Sequence, residues 1–280
     1  MSATPLLESQ LRRLHLPTAR ARYAALEEEA IAGNWSYAEY LERVAAEELA
    51  ARHERRIAQN VRRARFPFLK TLDEFDFTFQ TSISRRALGP YLGAELVAGG
   101  HNLILWGPSG TGKTALVIAL AYHAIQQGVT ARFVTCTELI SELVQARARG
   151  EWEQAFARAL APEVLVIDEV GYLSTGPYAA NVLFPVVDQR YLKGDRPILL
   201  TTNKDPAQWG SVLHDADLAQ AILDRLLHHG ELLKLGGPSY RRRRPGRSRR
   251  PPGSWGGVGE VTVRDETGLS GANDGATAAV

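Results

Sequence analysis

Residues 103–114 read LILWGPSGTGKT, an apolar run that ends in a glycine-rich loop. The segment Gly107 to Thr114 matches the pattern G-x-x-x-x-G-K-[ST], and the helix-forming run Ala115 to Ile125 follows it. Such a loop needs glycines because its backbone curls around a phosphate with the N–H groups pointing inward, where a Cβ atom would obstruct the approach. The succession of strand, loop and helix therefore predicts a phosphate-binding P-loop.

The P-loop residues have distinct expected roles. Lys113 would place its positive charge on the β- and γ-phosphates, and Thr114 would offer its hydroxyl to Mg²⁺. The amino end of the following helix adds a partial positive charge. We therefore predict a nucleoside triphosphate site formed by Gly107, Pro108, Ser109, Gly110, Thr111, Gly112, Lys113 and Thr114.

Two further predicted strands end in polar side chains: residues 164–169 read VLVIDE and residues 198–203 read ILLTTN. Because the carboxyl ends of parallel strands meet at one edge of a sheet, we expect these side chains beside the P-loop. Asp168 would hold Mg²⁺, and Glu169 would orient and polarise the attacking water. Asn203 is a candidate for positioning that water or contacting the γ-phosphate, with simple capping of a turn as the alternative.

Apolar runs and helical segments alternate beyond residue 100, which predicts an α/β fold with a parallel sheet flanked by helices. The predicted strands are apolar on both faces, as buried parallel strands are. They cover Asn102 to Trp106, Ala131 to Thr135, Val164 to Ile167 and Ile198 to Thr202.

Three segments of the chain differ in composition. Residues 1–68 are expected to form a small all-helical domain, in which Ser36 and Glu39 form a capping box that opens a long helix. Residues 69–241 are the expected P-loop domain. Residues 242–280 are rich in Arg, Pro and Gly and almost lack large apolar side chains, so we expect a disordered tail there.

Bulk composition excludes several classes of protein. The apolar runs are shorter than the ~18 residues of a membrane span, and no secretory leader is evident, so we expect a cytoplasmic protein without membrane contact. The single cysteine, Cys136, excludes an internal disulfide and a zinc site built on several thiolates.

Arginines are unevenly distributed although the net charge is only +2. One block lies between Arg52 and Arg65, and another follows Tyr240. Such blocks suit contacts with the phosphates of nucleic acid. For the first block a solvated helix is the alternative, because glutamates interleave with the arginines.

Beyond a generic P-loop, the chain resembles the IstB family of insertion-sequence helper ATPases and, more distantly, the DnaC helicase loaders. The resemblance extends from about Leu6 to Arg241, and the family pattern is not continued after Arg241. It rests on motifs in this order: residues 71–77 (TLDEFDF), 105–114 (LWGPSGTGKT), 165–172 (LVIDEVGY), 201–203 (TTN), 221–227 (AILDRLL) and 239–241 (SYR).

The resemblance implies an AAA+ module that binds ATP with Mg²⁺ between neighbouring subunits of a homo-oligomer. It implies that Arg225 is an arginine finger, which reaches into the next subunit's site. It also implies that Arg241 is a sensor-2 arginine, which contacts the γ-phosphate in its own subunit. For both residues a solvated surface arginine is the alternative.

The resemblance also implies two partners, duplex DNA bound with little sequence preference and a cognate transposase. The expected function is ATP-driven assistance of transposition. The alternatives are a DnaC-like helicase loader acting with single-stranded DNA, a small-molecule P-loop kinase, and a relic that binds ATP without activity. The pair Asp168 and Glu169 with Asn203 suits water activation better than transfer to an acceptor.

Overall fold

A computed structural model gives the fold, and it describes residues 5–171 and 178–242. The predicted tail lies outside these ranges except for Arg242. None of the helices in the described ranges combines the length and apolarity needed to cross a membrane. The α-helices are α1 (Pro5–Arg13), α2 (Pro17–Gly33), α3 (Tyr37–Ala64), α4 (Ala94–Ala98), α5 (Lys113–Gln126), α6 (Cys136–Ala148), α7 (Trp152–Leu160), α8 (Ala179–Lys193), α9 (Trp209–Val212) and α10 (Ala216–His228).

The strands are β1 (Asn102–Trp106), β2 (Ala131–Thr135), β3 (Val164–Val170), β4 (Ile198–Thr202) and β5 (Gly230–Lys234). Short 3₁₀ helices cover Arg85–Tyr91, Pro206–Gln208 and Tyr240–Arg242.

The strands form one five-stranded parallel sheet in the order β2-β3-β4-β1-β5. This confirms the predicted α/β class. β1, β2 and β4 have the predicted bounds, and β3 continues to Val170. β5 lies outside the predicted strands because it is an edge strand with exposed Glu231 and Lys234, so it lacks the continuous apolar run of a buried strand.

The central strands are buried on both faces. Leu103 and Leu105 of β1 face one hydrophobic cluster, and Ile104 between them faces the other. α5 covers the first face, while α6, α8 and α10 cover the second. Each fully buried aliphatic side chain of this kind contributes about 1.5–3 kcal/mol to stability, so the sheet holds the strand ends in fixed positions.

The N-terminal helices are tied together by capping and by one buried carboxylate. Glu39 N donates to Ser36 Oγ at 3.2 Å, and Ser36 N donates to the Glu39 carboxylate at 2.7 Å, which completes the predicted capping box. Glu48 on α3 is 3% exposed and accepts hydrogen bonds from the N–H groups of Thr18 and Ala19 at 2.8 and 3.0 Å. This carboxylate holds the first turn of α2 against α3.

The carboxyl half of α3 contacts the loop between α5 and β2. Arg56 Nη2 donates to the Gly128 carbonyl at 2.9 Å, and Asn60 Nδ2 donates to the Val129 carbonyl at 3.3 Å. Phe66 meets Phe133 of β2 edge to face at 6.4 Å. α3 therefore packs on the sheet region. The division of domains at residue 68 stays a prediction.

Arg190 of α8 closes the amino end of the sheet. Arg190 is 1% exposed. It donates to the carbonyl oxygens of Ala159, Pro162, Glu163, Arg196 and Pro197. Burial lowers its pKa to about 9, with Arg196 adding to the effect and Asp195 opposing it. The guanidinium joins the segments that lead into β3 and β4 at the end opposite the P-loop.

Candidate functional site

The carboxyl ends of β1, β3 and β4 open into a cavity of about 470 Å³, a volume suited to a nucleotide-sized ligand. Predicted site residues and additional residues both contribute to its wall. The lining consists of Phe68, Lys70, Glu74, Phe75, Asp76, Ser109, Gly110, Gly112, Lys113, Thr114, Ala115, Asp168, Glu169, Thr201, Thr202, Asn203, Tyr240 and Arg241.

The P-loop conformation depends on glycine at three positions. Gly107, Gly110 and Gly112 have φ of 152°, 84° and 97°, in the region that favours glycine. A Cβ at Gly107 would lie 2.0 Å from the Leu235 carbonyl oxygen, and one at Gly110 would lie 2.1 Å from Ser239 Oγ. The loop is therefore packed from behind by the segment after β5, and its open side faces the cavity.

The remaining loop residues fall into two groups. Ser109 lines the cavity, whereas Pro108 and Thr111 do not. Thr111 Oγ1 donates to the Pro108 carbonyl at 3.0 Å, and the buried Gln80 donates from Nε2 to the Thr111 carbonyl at 2.8 Å. These hydrogen bonds fix the conformation of the loop. Some predicted loop residues therefore line the cavity, and others stabilise the loop.

Lys113 is the cation at the floor of the cavity. Its side chain is folded back over the loop, where Nζ donates to the carbonyls of Gly107 and Pro108 at 2.8 and 2.7 Å. Burial lowers the pKa of the Lys113 ammonium, the Asp168 carboxylate opposes this, and the Arg241 guanidinium lowers it further. A partly desolvated cation beside a second cation favours a polyanionic ligand.

Thr114 and Asp168 face each other across the strand ends. Thr114 Oγ1 lies 3.0 and 3.1 Å from the two carboxylate oxygens of Asp168, which is 4% exposed. A hydroxyl and a carboxylate supply the hard oxygen ligands that Mg²⁺ prefers, and Mg²⁺ sites in such enzymes are completed by phosphate and water. The pair fits the predicted metal role.

Glu169 is exposed at the mouth of the cavity, directly after the buried Asp168. Its φ is 61°, which is uncommon for a residue with a side chain. The backbone changes direction at Glu169, so the side chains of Asp168 and Glu169 differ in exposure although the two residues are adjacent. The result is one buried and one accessible carboxylate.

Asn203 lines the cavity immediately beyond β4. Its Oδ1 atom is buried and has no hydrogen-bond partner within the described parts of the chain. Buried polar atoms are nearly always paired, so this amide oxygen fits a role as the acceptor of a hydrogen bond from a bound water. Turn capping, the alternative, is performed at the next turn by Asp205, whose carboxylate accepts from Ala207 N at 3.0 Å.

Sequence reasoning missed the aromatic wall of the cavity. Phe75 and Tyr240 flank Gly112, with ring centroids 6.2 Å apart. The Tyr240 hydroxyl donates to the Asp76 carbonyl at 2.8 Å, and Tyr240 N donates to the Gly110 carbonyl at 2.8 Å. The available signal was the aromatic spacing in residues 71–79, which gave no indication that Tyr240 would join it.

The two predicted arginines lie in different places. Arg241 lines the same cavity as Lys113. Arg225 lies instead beside Gly100, Asn102 and Ile198, where β1 and β4 begin. A strand of this length spans about 15 Å or more, so Arg225 and the P-loop are at opposite ends of the sheet.

The Arg225 guanidinium is held by α8 and α10. Nε donates to Asp188 Oδ1 at 2.7 Å, and Nη1 donates to the Ala221 carbonyl at 3.1 Å. The group also stacks over the Phe184 ring at 4.6 Å. Arg225 is thus not a freely solvated arginine, because its side chain has a defined position.

The arginines at the carboxyl end of α3 differ in their contacts from those earlier in the block. Arg52 and Arg55 pair with Glu48, and Arg56 caps the Gly128 carbonyl. Arg62, Arg63 and Arg65 are exposed at the carboxyl end of the helix, with no ion pair among the described residues. The first half of the block is thus engaged in contacts within the chain, whereas the arginines of the second half are exposed without an ion pair to any described residue.

The sequence pattern of the family described as IstB-like ATP binding protein matches residues 9–248. The match continues past Arg241, where the resemblance by motif ends, and so corrects that boundary. A protein of Geobacillus stearothermophilus, named as an ATP-binding protein of insertion sequence IS5376, is 39% identical over 231 residues, which are 82% of this chain and 91% of that protein.

Two further comparisons add a relative and a solved structure. A protein of Pseudomonas aeruginosa, named as an ATP-binding protein of insertion sequence IS21, is 38% identical over 235 residues, which are 84% of this chain and 88% of that protein. The crystal structure of DnaI has 23% sequence identity and a TM-score of 0.48, and the similarity covers 61% of this chain and 89% of that chain.

The glycine cradle gives a direct test of nucleotide binding. Gly107→Ala should abolish ATP binding, because its Cβ would meet a backbone carbonyl that cannot move aside. Gly194→Ala is the matched control: Gly194 also has a positive φ, 74°, but a Cβ there meets nothing within 4 Å. We expect this control to lose about 1–2 kcal/mol of stability and to keep binding.

Binding would be titrated with a fluorescent ATP analogue, and folding would be checked by circular dichroism and thermal melting. If Gly107→Ala folds and binds nucleotide like the wild type, nucleotide binding does not require glycine at position 107.

Proposed function

Because the chain belongs to the family of IstB-like ATP-binding proteins, we propose that it hydrolyses ATP in a homo-oligomer assembled on duplex DNA in the cytoplasm and thereby assists a transposase. The observation that carries the proposal is the convergence of Thr114, Asp168, Glu169 and Asn203 on the P-loop cavity. The relatives' names, which refer to insertion sequences, support a role in transposition.

Hydrolysis requires a held phosphate, a metal site and a group that activates water. The P-loop N–H groups and Lys113 would bind the β- and γ-phosphates. Thr114 and Asp168 would hold Mg²⁺, which neutralises charge on the phosphate oxygens when bound. Glu169, accessible at the cavity mouth, would orient the attacking water and accept its proton, and the unpaired amide oxygen of Asn203 would accept a second hydrogen bond from that water.

The position of Arg225 supports a site shared between subunits. It lies at the opposite end of the sheet from its own P-loop, so it can reach only the cavity of another subunit. Its guanidinium is already oriented by Asp188 and Ala221, which reduces the entropy lost when it contacts a phosphate. Arg241, which lines the subunit's own cavity, is suited to the γ-phosphate there.

The proposed DNA contact is the exposed group of Arg62, Arg63 and Arg65. One arginine cluster binds DNA weakly. Several copies in an oligomer would contact many phosphates at once, and each contact adds to affinity and to its salt dependence. The same multiplicity would link ATP-dependent assembly to DNA binding.

Steady-state phosphate release at fixed low salt tests the proposal as a whole. Duplex DNA should stimulate turnover, and Glu169→Gln should lower it by about 10²-fold or more while ATP binding persists. Stimulation by single-stranded DNA alone would favour the helicase-loader alternative. Turnover that is indifferent to both DNAs would contradict the DNA part of the proposal, and wild-type turnover by Glu169→Gln would contradict the role of Glu169.

Arg225→Ala should bind ATP normally and lose about 10³-fold in turnover, the usual contribution of an arginine finger. Mixing it with Glu169→Gln should restore part of the activity, because the second variant supplies an intact Arg225 to the first variant's intact site. Each variant assayed alone at the same total protein concentration is the control. Loss of ATP binding by Arg225→Ala, or failure of the mixture to recover, would exclude the action across subunits.

The double variant Arg62→Ala/Arg63→Ala should weaken duplex binding and reduce the slope of log affinity against log salt by up to about 2. Arg22→Ala/Arg149→Ala is matched in charge, because both arginines are exposed but paired with Glu47 and Glu151. Fluorescence anisotropy of labelled duplex DNA over a range of salt concentrations would measure the affinity and the salt slope of each double variant. Equal losses in the two double variants would mean that net charge alone, and not this cluster, sets the affinity.

A further inference from the structure

β3 and β4 change register beside the cavity. Ile167 pairs with Leu200, and pairing resumes at Val170 with Thr202. Two residues of β3, Asp168 and Glu169, therefore face the single residue Thr201 on β4. An extra residue of this kind interrupts the ladder and redirects side chains, and such bulges are frequent beside active sites.

The bulge leaves the Glu169 N–H outside the regular ladder. It donates instead to Thr201 Oγ1 at 3.0 Å. Glu169 also has the strained φ of 61°, which persists only where surrounding contacts hold it. The Thr201 hydroxyl is the side-chain contact that holds the backbone of Glu169.

The same hydroxyl donates its proton to Asp168 Oδ1. Thr201 is 1% exposed, so water does not compete for these bonds. A hydroxyl has one proton to donate and lone pairs that accept. With its proton on Asp168, the oxygen is left to accept from Glu169. One side chain thus fixes the buried carboxylate and the backbone that carries the accessible one.

We propose that Thr201 is a positioning residue that sets the Mg²⁺-binding carboxylate and the water-activating carboxylate relative to each other. This inference rests on the proposed function of Asp168 and Glu169. Outer contacts of this kind orient metal ligands, and their loss weakens metal binding or activity without removing any ligand. Valine has the shape of threonine without the hydroxyl, so Thr201→Val removes both bonds and little volume. Thr201→Ser keeps the hydroxyl.

Thr130 offers a matched control at the other end of the sheet. Its Oγ1 donates to the Glu163 carboxylate at 2.8 Å and accepts from Glu163 N at 3.1 Å. These are the same two kinds of bond that Thr201 makes, at the amino end of β3 and away from the cavity. Thr130→Val therefore reports the structural effect of losing such a hydroxyl without disturbing the site.

The experiment compares these variants with the wild type in two assays. Mg²⁺ titrations of fluorescent-nucleotide affinity report the metal site without turnover, and steady-state assays give kcat and KM. Thr201→Val should lower the apparent Mg²⁺ affinity and kcat by about tenfold or more, while nucleotide affinity without Mg²⁺ and KM change little. Thr201→Ser should recover most of the Mg²⁺ affinity and of kcat. Thr130→Val should match the wild type in Mg²⁺ affinity and in kcat.

Wild-type Mg²⁺ dependence and kcat in Thr201→Val would overturn the inference. So would equal losses in Thr130→Val, since they would indicate a general structural effect. If the wild type binds Mg²⁺ and nucleotide but hydrolyses nothing, the proposed function fails, and the Mg²⁺ titration still decides whether Thr201 positions Asp168.

Discussion

The adjacency of three buried parallel strands is the constraint on which the rest of the structure depends. β3, β4 and β1 lie side by side, so the residues that follow them emerge at one edge of the sheet. Apolar side chains on both faces of these strands bind helices on either side and leave the strands little freedom to shift. The P-loop, the carboxylate pair and Asn203 can therefore be short extensions of rigid elements. Side chains carried in this way lose little entropy when a ligand binds.

Much of this arrangement could be predicted from local sequence, because the features that decide it are local. The buried strands have continuous apolar runs, and the P-loop has glycines where the backbone requires positive φ. The acidic pair directly follows one apolar run, and Asn203 follows another. For each of these, side-chain pattern and backbone requirement coincide within a few residues. The motif and the fold then support the same conclusion.

The remainder could not be predicted because it depends on contacts between distant parts of the chain. Tyr240 bonds the Asp76 carbonyl across 164 residues, and no periodicity encodes that approach. β5 lacks the apolar pattern because, among the described strands, it pairs only with β1 and exposes Glu231, Leu232 and Lys234. The contacts of Thr201 and of the α3 arginines depend on strand register and on neighbours such as Glu48. Residue type alone could not distinguish a structural arginine from an available one.

The wall of the nucleotide cavity combines residues 68–76, which precede the sheet, with Tyr240 and Arg241, which follow it, and this order matters for biosynthesis. Residues 68–76 and the P-loop leave the ribosome early, and the carboxylate pair and Asn203 follow. Tyr240 and Arg241, which close the wall, come after β5. Domains fold as they are synthesised from the amino end, so the sheet can form around β1 before its cavity is closed. The enclosed nucleotide site is accordingly among the last parts of the described structure that the growing chain can complete.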